Sequence, residues 1–156
     1  MTTSMTQLLE AYPLMNGLSS DAIALVAGCA RNVAFEPGAL LFAEGASADT
    51  FYLLRRGHAA IEVHEPGRGQ LVIETIGPGE VVGWSWLIEP YRWTFDARAQ
   101  DSLGAIAIDG ACLRAKSLDD PAFGYALLQR VAGQILARLQ ATRMRLLDLC
   151  GEANER

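Results

Sequence analysis

Apolar and polar positions divide the chain into three stretches with different periods. Up to about Ala30 the apolar residues recur at helical spacing: Ile23, Leu25-Val26 and Ala30 follow Ser20-Asp21, which offers an N-cap and an acid for the first turn. A shorter helix is predicted over residues 6–11, stopped by Pro13 and Gly17. From about Val33 to Asp109 the pattern changes to short β-rich runs at 40–42, 51–54, 59–63, 71–76, 95–99 and 103–108, punctuated by glycine. Short strands at regular spacing with Gly and Pro turns predict an antiparallel barrel or jelly roll. Glu65-Pro66-Gly67-Arg68-Gly69 reads as a hairpin loop. Ile61, Val63, Val72 and Ile76 alternate as residues do on strands with one buried face.

The third stretch is helical again. Asp109 is placed to cap a short helix through Cys112-Leu113. Asp119-Asp120-Pro121 then puts acids before a proline at the first helical position, a strong start signal. From there the helix is expected to reach Gly151, with Gly124 and Gly133 inside it. About 30 helical residues span ~45 Å, more than a small barrel covers. Leu128, Ala132, Ile135, Leu139, Thr142, Leu146 and Leu149 alternate at spacings of four and three, a coiled-coil seam. Leu127, Val131, Leu136 and Leu147 add a second apolar edge, suited to packing on the barrel. Two stripes need two partners: the chain's own body and, most simply, the same helix of a second copy. A homodimer is expected.

Composition sets the class. With 51% apolar and 20% charged residues in 156, intrinsic disorder is excluded and one domain over residues 1–156 is expected. Its parts are N-terminal helices in 1–31, a barrel in 33–109 and helices in 110–150. The longest apolar run, Ala22 to Ala30, is about half a membrane span, so no membrane contact is expected. The first basic residue is Arg31, which leaves no charged start for a secretory signal. Cys29, Cys112 and Cys150 are odd in number and widely spaced, which suits buried thiols in a reducing cytoplasm. The net charge is −5, from 13 Lys and Arg against 18 Asp and Glu, and most acids precede residue 121. Such a body repels phosphate backbones, so DNA binding is not expected. The four arginines in 121–150 read as a solvated edge.

Several fragments carry a family pattern in order: Phe35-Glu36-Pro37-Gly38-Ala39-Leu40-Leu41-Phe42, Glu44-Gly45, Phe51-Tyr52-Leu53-Leu54-Arg55-Arg56-Gly57, and Ile76-Gly77-Pro78-Gly79-Glu80-Val81-Val82-Gly83. Together they resemble the cyclic nucleotide-binding domain of the Crp-Fnr (catabolite activator) type, over roughly residues 14–149. The resemblance implies an α+β, mainly β fold: an antiparallel jelly roll with N-terminal helices and a long C-terminal helix. It also implies a phosphate cassette in 79–99, with a short helix after Gly83 whose free N–H groups face a cyclic phosphate. The family then places a Glu for the ribose and, about ten residues on, an Arg for the phosphate. Here Trp84 stands at the Glu position and Trp93 or Thr94 at the Arg position, because the segment is one residue short. Arg92 is the nearest cation, and it serves only if the backbone is irregular there.

All three tryptophans, Trp84, Trp86 and Trp93, fall in this segment. Rings that bury roughly 150–250 Å² each can fill a nucleotide-sized space. Two readings stay open: a pocket plugged by its own side chains, or an aromatic-walled site for another small molecule with Arg92 or Arg98 as ionic handle. The pocket candidates are Val82, Gly83, Trp84, Ser85, Trp86, Arg92, Trp93 and Thr94. The run Arg138-Leu139-Gln140-Ala141-Thr142-Arg143 is similar to the long helix of the catabolite activator branch. That likeness implies an adenine contact at Thr142, with Arg143 beside it where the family has a hydroxyl. A Thr there can equally bond back to its own helix.

The implied ligand is cyclic AMP, cyclic GMP or another small effector, and no resident cofactor or metal is expected. His58 and His64 have no acid or cysteine at ligand spacing, and no nucleophile or Walker motif appears, so an enzyme is not expected. The family's transcription factors continue into a winged helix-turn-helix. With the chain stopping at Arg156, a stand-alone sensor that signals to an unidentified partner protein is expected.

Overall fold

A computed structural model describes residues 3–154, with side chains described to residue 151. Helix α1 (Met5–Glu10) starts with a reciprocal cap: Ser4 Oγ accepts from Gln7 N–H while the Gln7 side-chain carbonyl accepts from Ser4 N–H. A 3-10 turn, Pro13–Met15, leads to α2 (Ser20–Ala27), which is capped by Ser19 rather than Ser20: its Oγ accepts from Ala22 N–H at 3.1 Å. Eight strands follow: β1 (Ala30–Phe35), β2 (Leu40–Phe42), β3 (Thr50–Arg56), β4 (Ala59–Glu65), β5 (Gly69–Ile76), β6 (Val81–Val82), β7 (Asp96–Ala99) and β8 (Leu103–Asp109).

They form two antiparallel four-stranded sheets, β1-β8-β3-β6 and β2-β7-β4-β5. The fold is thus a jelly roll of two sheets, not a closed barrel. Their inner faces share one core, with Phe51, Leu53 and Ile106 from the first sheet and Ile61, Ala97 and Ile76 from the second. Two strands escape prediction from local pattern. β1 is an edge strand with polar residues, and what holds it is residue-by-residue pairing with β8, from Ala30 opposite Ile108 to Phe35 opposite Leu103. β6 has two residues between glycine turns.

The predicted alternation fails in β5. The β4–β5 ladder slips between Ile61 and Glu62, leaving Ile73 as the extra residue of a bulge, and Val72 ends up 55% exposed. At the neighbouring corner, Asp101 accepts from His58 backbone N–H at 2.7 Å and lies 2.9 Å from His58 Nδ1. Those hydrogen bonds hold the Asp101 carboxyl below the usual carboxylate range. His64 is exposed near the end of β4. Tyr12 Oη donates to the Leu54 carbonyl at 2.8 Å, and burial pushes its phenol upward in pKa.

The expectation of three buried thiols is overturned. Cys29 and Cys112 form a disulfide across 83 residues, with Cα atoms 5.8 Å apart, while Cys150 is free and exposed. The pairing of β1 with β8 brings them together, because it sets the end of α2 beside the start of α3 (Gly110–Asp119). Asp109 caps α3 as predicted, accepting from Cys112 N–H at 3.0 Å.

Helix α4 (Pro121–Asn154) begins at the predicted proline, with Asp120 Oδ1 accepting from Phe123 N–H, and runs through Gly151. Its 34 residues extend about 50 Å. Gly124 allows α4 to lie against α3, since a Cβ there would meet Ser117 Cβ at 2.9 Å. Phe123, Leu127 and Val131 are buried, but Leu136 and Leu147 are exposed, so only the first half of the second apolar edge packs on the body. Beyond Val131 the helix touches the jelly roll through Arg138 and Arg145, which reach Glu74 and Glu80, while the apolar residues there stay uncovered among the described residues. Leu128, Ile135, Leu139, Leu146 and Leu149 stand exposed on the predicted seam, as do Ala132 and Thr142. No described helix is long and apolar enough to cross a membrane.

Candidate ligand site

The site is built where β6 ends. Val82 is fully buried, and Gly83 then takes φ +99°, a conformation that L side chains rarely adopt. The short helix implied by the resemblance is absent. After Gly83 come two successive turns, closed by Leu87 N–H on the Trp84 carbonyl at 3.3 Å and by Tyr91 N–H on the Ile88 carbonyl at 2.9 Å, and Pro90 lacks an N–H to extend them into a helix. The chain next pairs with the segment after β2. Ala48 N–H donates to the Tyr91 carbonyl at 2.7 Å, Trp93 N–H to Ala46 at 3.0 Å, and Gly45 N–H to Trp93 at 2.8 Å. Ser47 and Arg92 form the bridge between these bonds.

Extended pairing sends successive side chains to opposite faces. Trp93 therefore points inward and Arg92 outward. Trp93 is 3% exposed and lies flat on Phe42, with ring centroids 3.7 Å apart and planes 9° apart. Its other neighbour is Gly83, where an added Cβ would sit 2.4 Å from the indole Cη2. The inward position of this segment thus holds an indole over the glycine. Arg92, offered as a replacement, is exposed and donates to the Gly45 carbonyl at 3.3 Å. Arg98, the other candidate handle, is held by Glu62 at 3.0 Å and the Gly38 carbonyl at 2.8 Å. Thr94 is exposed.

Trp86 points away from this face. It is 1% exposed, stacks on Phe51 at 4.4 Å and packs against Gly110 of α3, and its indole N–H has no acceptor among the described residues. Its carbonyl accepts from Arg114 of α3, whose guanidinium also lies 4.0 Å from the centre of the Tyr91 ring. Ser85 is half-buried between the two indoles in sequence.

Trp84, half-buried, lines a cavity of about 310 Å³ between the β5–β6 turn and α4, together with Glu74, Glu80, Arg138 and Arg145. Arg138 hydrogen-bonds Glu74 and comes within 3.6 Å of Glu80, and Arg145 within 3.8 Å of Glu74. Glu80 also accepts from Gly77 N–H at 2.8 Å. The structure therefore sets Trp84 in a cavity beside a charged cluster that ties β5 and the β5–β6 turn to α4, which local sequence reading passed over. A signal existed, since Glu80 lies in the Gly79-Gly83 fragment and Arg138 opens the helix run read for Thr142. Thr142 itself is exposed, with Oγ1 donating to the Arg138 carbonyl at 3.0 Å, and Arg143 is exposed beside it. Neither lines the cavity within this chain.

Trp93 covers the glycine edge, and among the described residues Arg92 and Arg98 are held by Gly45, Glu62 and Gly38 rather than facing that edge.

Two sheets in this order, a glycine-led segment after β6 and a long terminal helix define the cyclic nucleotide-binding fold. The chain belongs to the cyclic nucleotide-binding domain family, whose sequence profile matches residues 32–117, from β1 through most of α3. It is 27% identical over 145 residues to a CRP-like cAMP-activated global transcriptional regulator of Mycobacterium tuberculosis, covering 93% of this chain and 63% of that protein. The chain thus spans less than two thirds of that curated relative. Among solved structures it is similar to a Geobacter metallireducens protein named for cyclic nucleotide binding, at 29% identity and TM-score 0.78, over 89% of this chain and 99% of the other. A cyclic nucleotide-binding domain from Methylobacillus flagellatus shares the fold at 18% identity and TM-score 0.79, over 92% and 85% of the two chains.

Proposed function

We propose that this chain is a cytoplasmic, non-enzymatic regulatory domain in which Trp93 stands in for the cyclic phosphate, so that cyclic AMP and cyclic GMP bind weakly. In this reading another small effector, one that needs no phosphate grip, enters beside Trp84 and shifts α4, which offers a surface to a partner protein. The placement of the Trp93 ring on Gly83 supports this reading most directly. The charged cluster of Glu74, Glu80 and Arg138 adds to it, because it couples that neighbourhood to α4. A second reading, a ligand-free interaction module, draws on the hydrogen bonds that hold 91–93 against 45–48.

Loss of the phosphate pair and the ribose acceptor removes charge-assisted bonds worth about 1.5–3 kcal/mol each. Tryptophan fluorescence titrated with cyclic AMP and cyclic GMP is therefore expected to show half-saturation at or above ~100 µM, roughly 100-fold weaker than a micromolar site. Micromolar binding would overturn the reading. No response to either nucleotide or to a metabolite mixture would favour the ligand-free module.

The exposed seam on α4 supports a homodimer in the proposal. Ile135→Glu combined with Leu139→Glu is expected to yield a folded monomer in light scattering where the unsubstituted chain is a dimer. A dimer that survives both changes would place the interface elsewhere.

A further inference from the structure

The Cys29–Cys112 bond lies on the element that connects the candidate site to α4. Helix α3 carries Cys112, and its first residue, Gly110, packs on Trp86, where an added Cβ would come within 2.9 Å of the Trp86 Cβ. Arg114, one turn on, donates to the Trp86 carbonyl. At its far end α3 meets α4 through Ser117 and Gly124, and Asp120 alone separates the two helices. On the opposite side α3 is moored to the α2–β1 junction by three links. Asp109 N–H donates to the Cys29 carbonyl at 2.9 Å, Lys116 Nζ to the Leu25 carbonyl at 2.7 Å, and the third link is the covalent bond. Two of the three are single hydrogen bonds to backbone carbonyls. The disulfide is the covalent one of the three, added to the packing of buried Leu113 in the core.

We propose that Cys29 and Cys112 form a thiol–disulfide exchange site whose state sets the freedom of α3, and through it the position of α4. The substrate class is a dithiol reductant, small or proteinaceous. Its thiolate attacks Sγ of Cys112, the half-buried member of the pair, and the Sγ–Sγ bond breaks. Cys29, which is buried, leaves as a thiolate and takes up a proton. The reductant's second thiol then displaces the Cys112 sulfur, closing the reductant's own disulfide. Two electrons and two protons pass to the protein, and oxidation by a disulfide of the same class reverses the step. In the reducing setting proposed above, a bonded pair of this kind cycles rather than remaining closed. The physiological sense of the site rests on that setting. The chemistry does not, and no nucleotide enters its test.

The test uses the full chain carrying Cys150→Ser, which removes the exposed thiol as a competitor. Under native conditions, millimolar dithiothreitol is expected to expose two maleimide-reactive thiols per chain, and removal of the reductant with mild oxidation to hide them again. Hydrogen exchange of amides in 110–124 is expected to quicken at least 10-fold on reduction, while β3 and β8 keep their protection. Cys112→Ser should show the fast pattern regardless of reductant. If that variant fails to fold, the reductant titration of the Cys150→Ser chain carries the test by itself. Thiols that appear only on global unfolding would overturn the proposal, leaving a structural staple. Faster exchange spread evenly over the chain would overturn it as well.

Discussion

Trp93→Arg is expected to raise affinity for cyclic AMP about 10- to 100-fold while costing the unliganded domain about 3–5 kcal/mol of stability. The two effects share one cause. Position 93 faces inward because its backbone pairs with the segment at 45–48, so a guanidinium placed there is aimed at the Gly83 edge. Without a ligand, that guanidinium is a buried charge lacking a carboxylate and has lost the stacking on Phe42. With a cyclic phosphate present, the same group gains its partner and the glycine edge is uncovered. Calorimetric titration should show the tighter binding, and thermal unfolding should show a destabilised variant that recovers as cyclic AMP is added. Saturating ligand at 100 times Kd returns about 2.7 kcal/mol. Affinity equal to that of the unsubstituted chain would show that the cassette geometry, and not only its plug, has departed from the family.

Gly83→Ala is expected to destabilise the domain by about 3 kcal/mol or more, for two separable reasons. The backbone at φ +99° is strained for any L side chain, a cost of about 1–2 kcal/mol. The added methyl also collides with the Trp93 ring at 2.4 and 2.5 Å, and that ring is pinned from its other side by Phe42. A double-substitution cycle separates the terms. In a Trp93→Ala background the glycine change should cost only the backbone part, so the two substitutions together cost less than their sum by about 1–2 kcal/mol. Urea unfolding of the four chains measures this. Equal costs in both backgrounds would mean that the indole does not rest on the glycine in solution.

Much of the architecture is written in local signals. Asp109 before Cys112 and Asp120 before Pro121 mark the two C-terminal helix starts because caps act on N–H groups two or three residues away. The hairpin at Glu65–Gly69 and the six central strands follow from turn residues and β-branched runs. The long helix follows from its start signal and its helical spacing. What stayed hidden needed a partner distant in sequence. Edge strand β1 carries Arg31 and Asn32 among apolar residues and is held by β8, and the β5 bulge exists through its ladder with β4. The cluster of Glu74, Glu80 and Arg138 joins residues 64 positions apart at its widest hydrogen bond.

At the candidate site the division is sharper. That three tryptophans crowd the segment after Gly83 could be read directly. Which ring entered the site could not. Backbone pairing of 91–93 with 45–48 sets the phase that turns Trp93 in and Arg92 out, and that pairing is a contact between separate loops. The cysteines make the same point: spacing suggested three independent thiols, yet β1 lying along β8 carries two of them into bonding distance. Element type and the chemistry on offer come from neighbours along the chain, whose effects act within a few bonds. Side-chain direction and covalent pairing come from packing, where free energy depends on atoms that only the folded chain brings together.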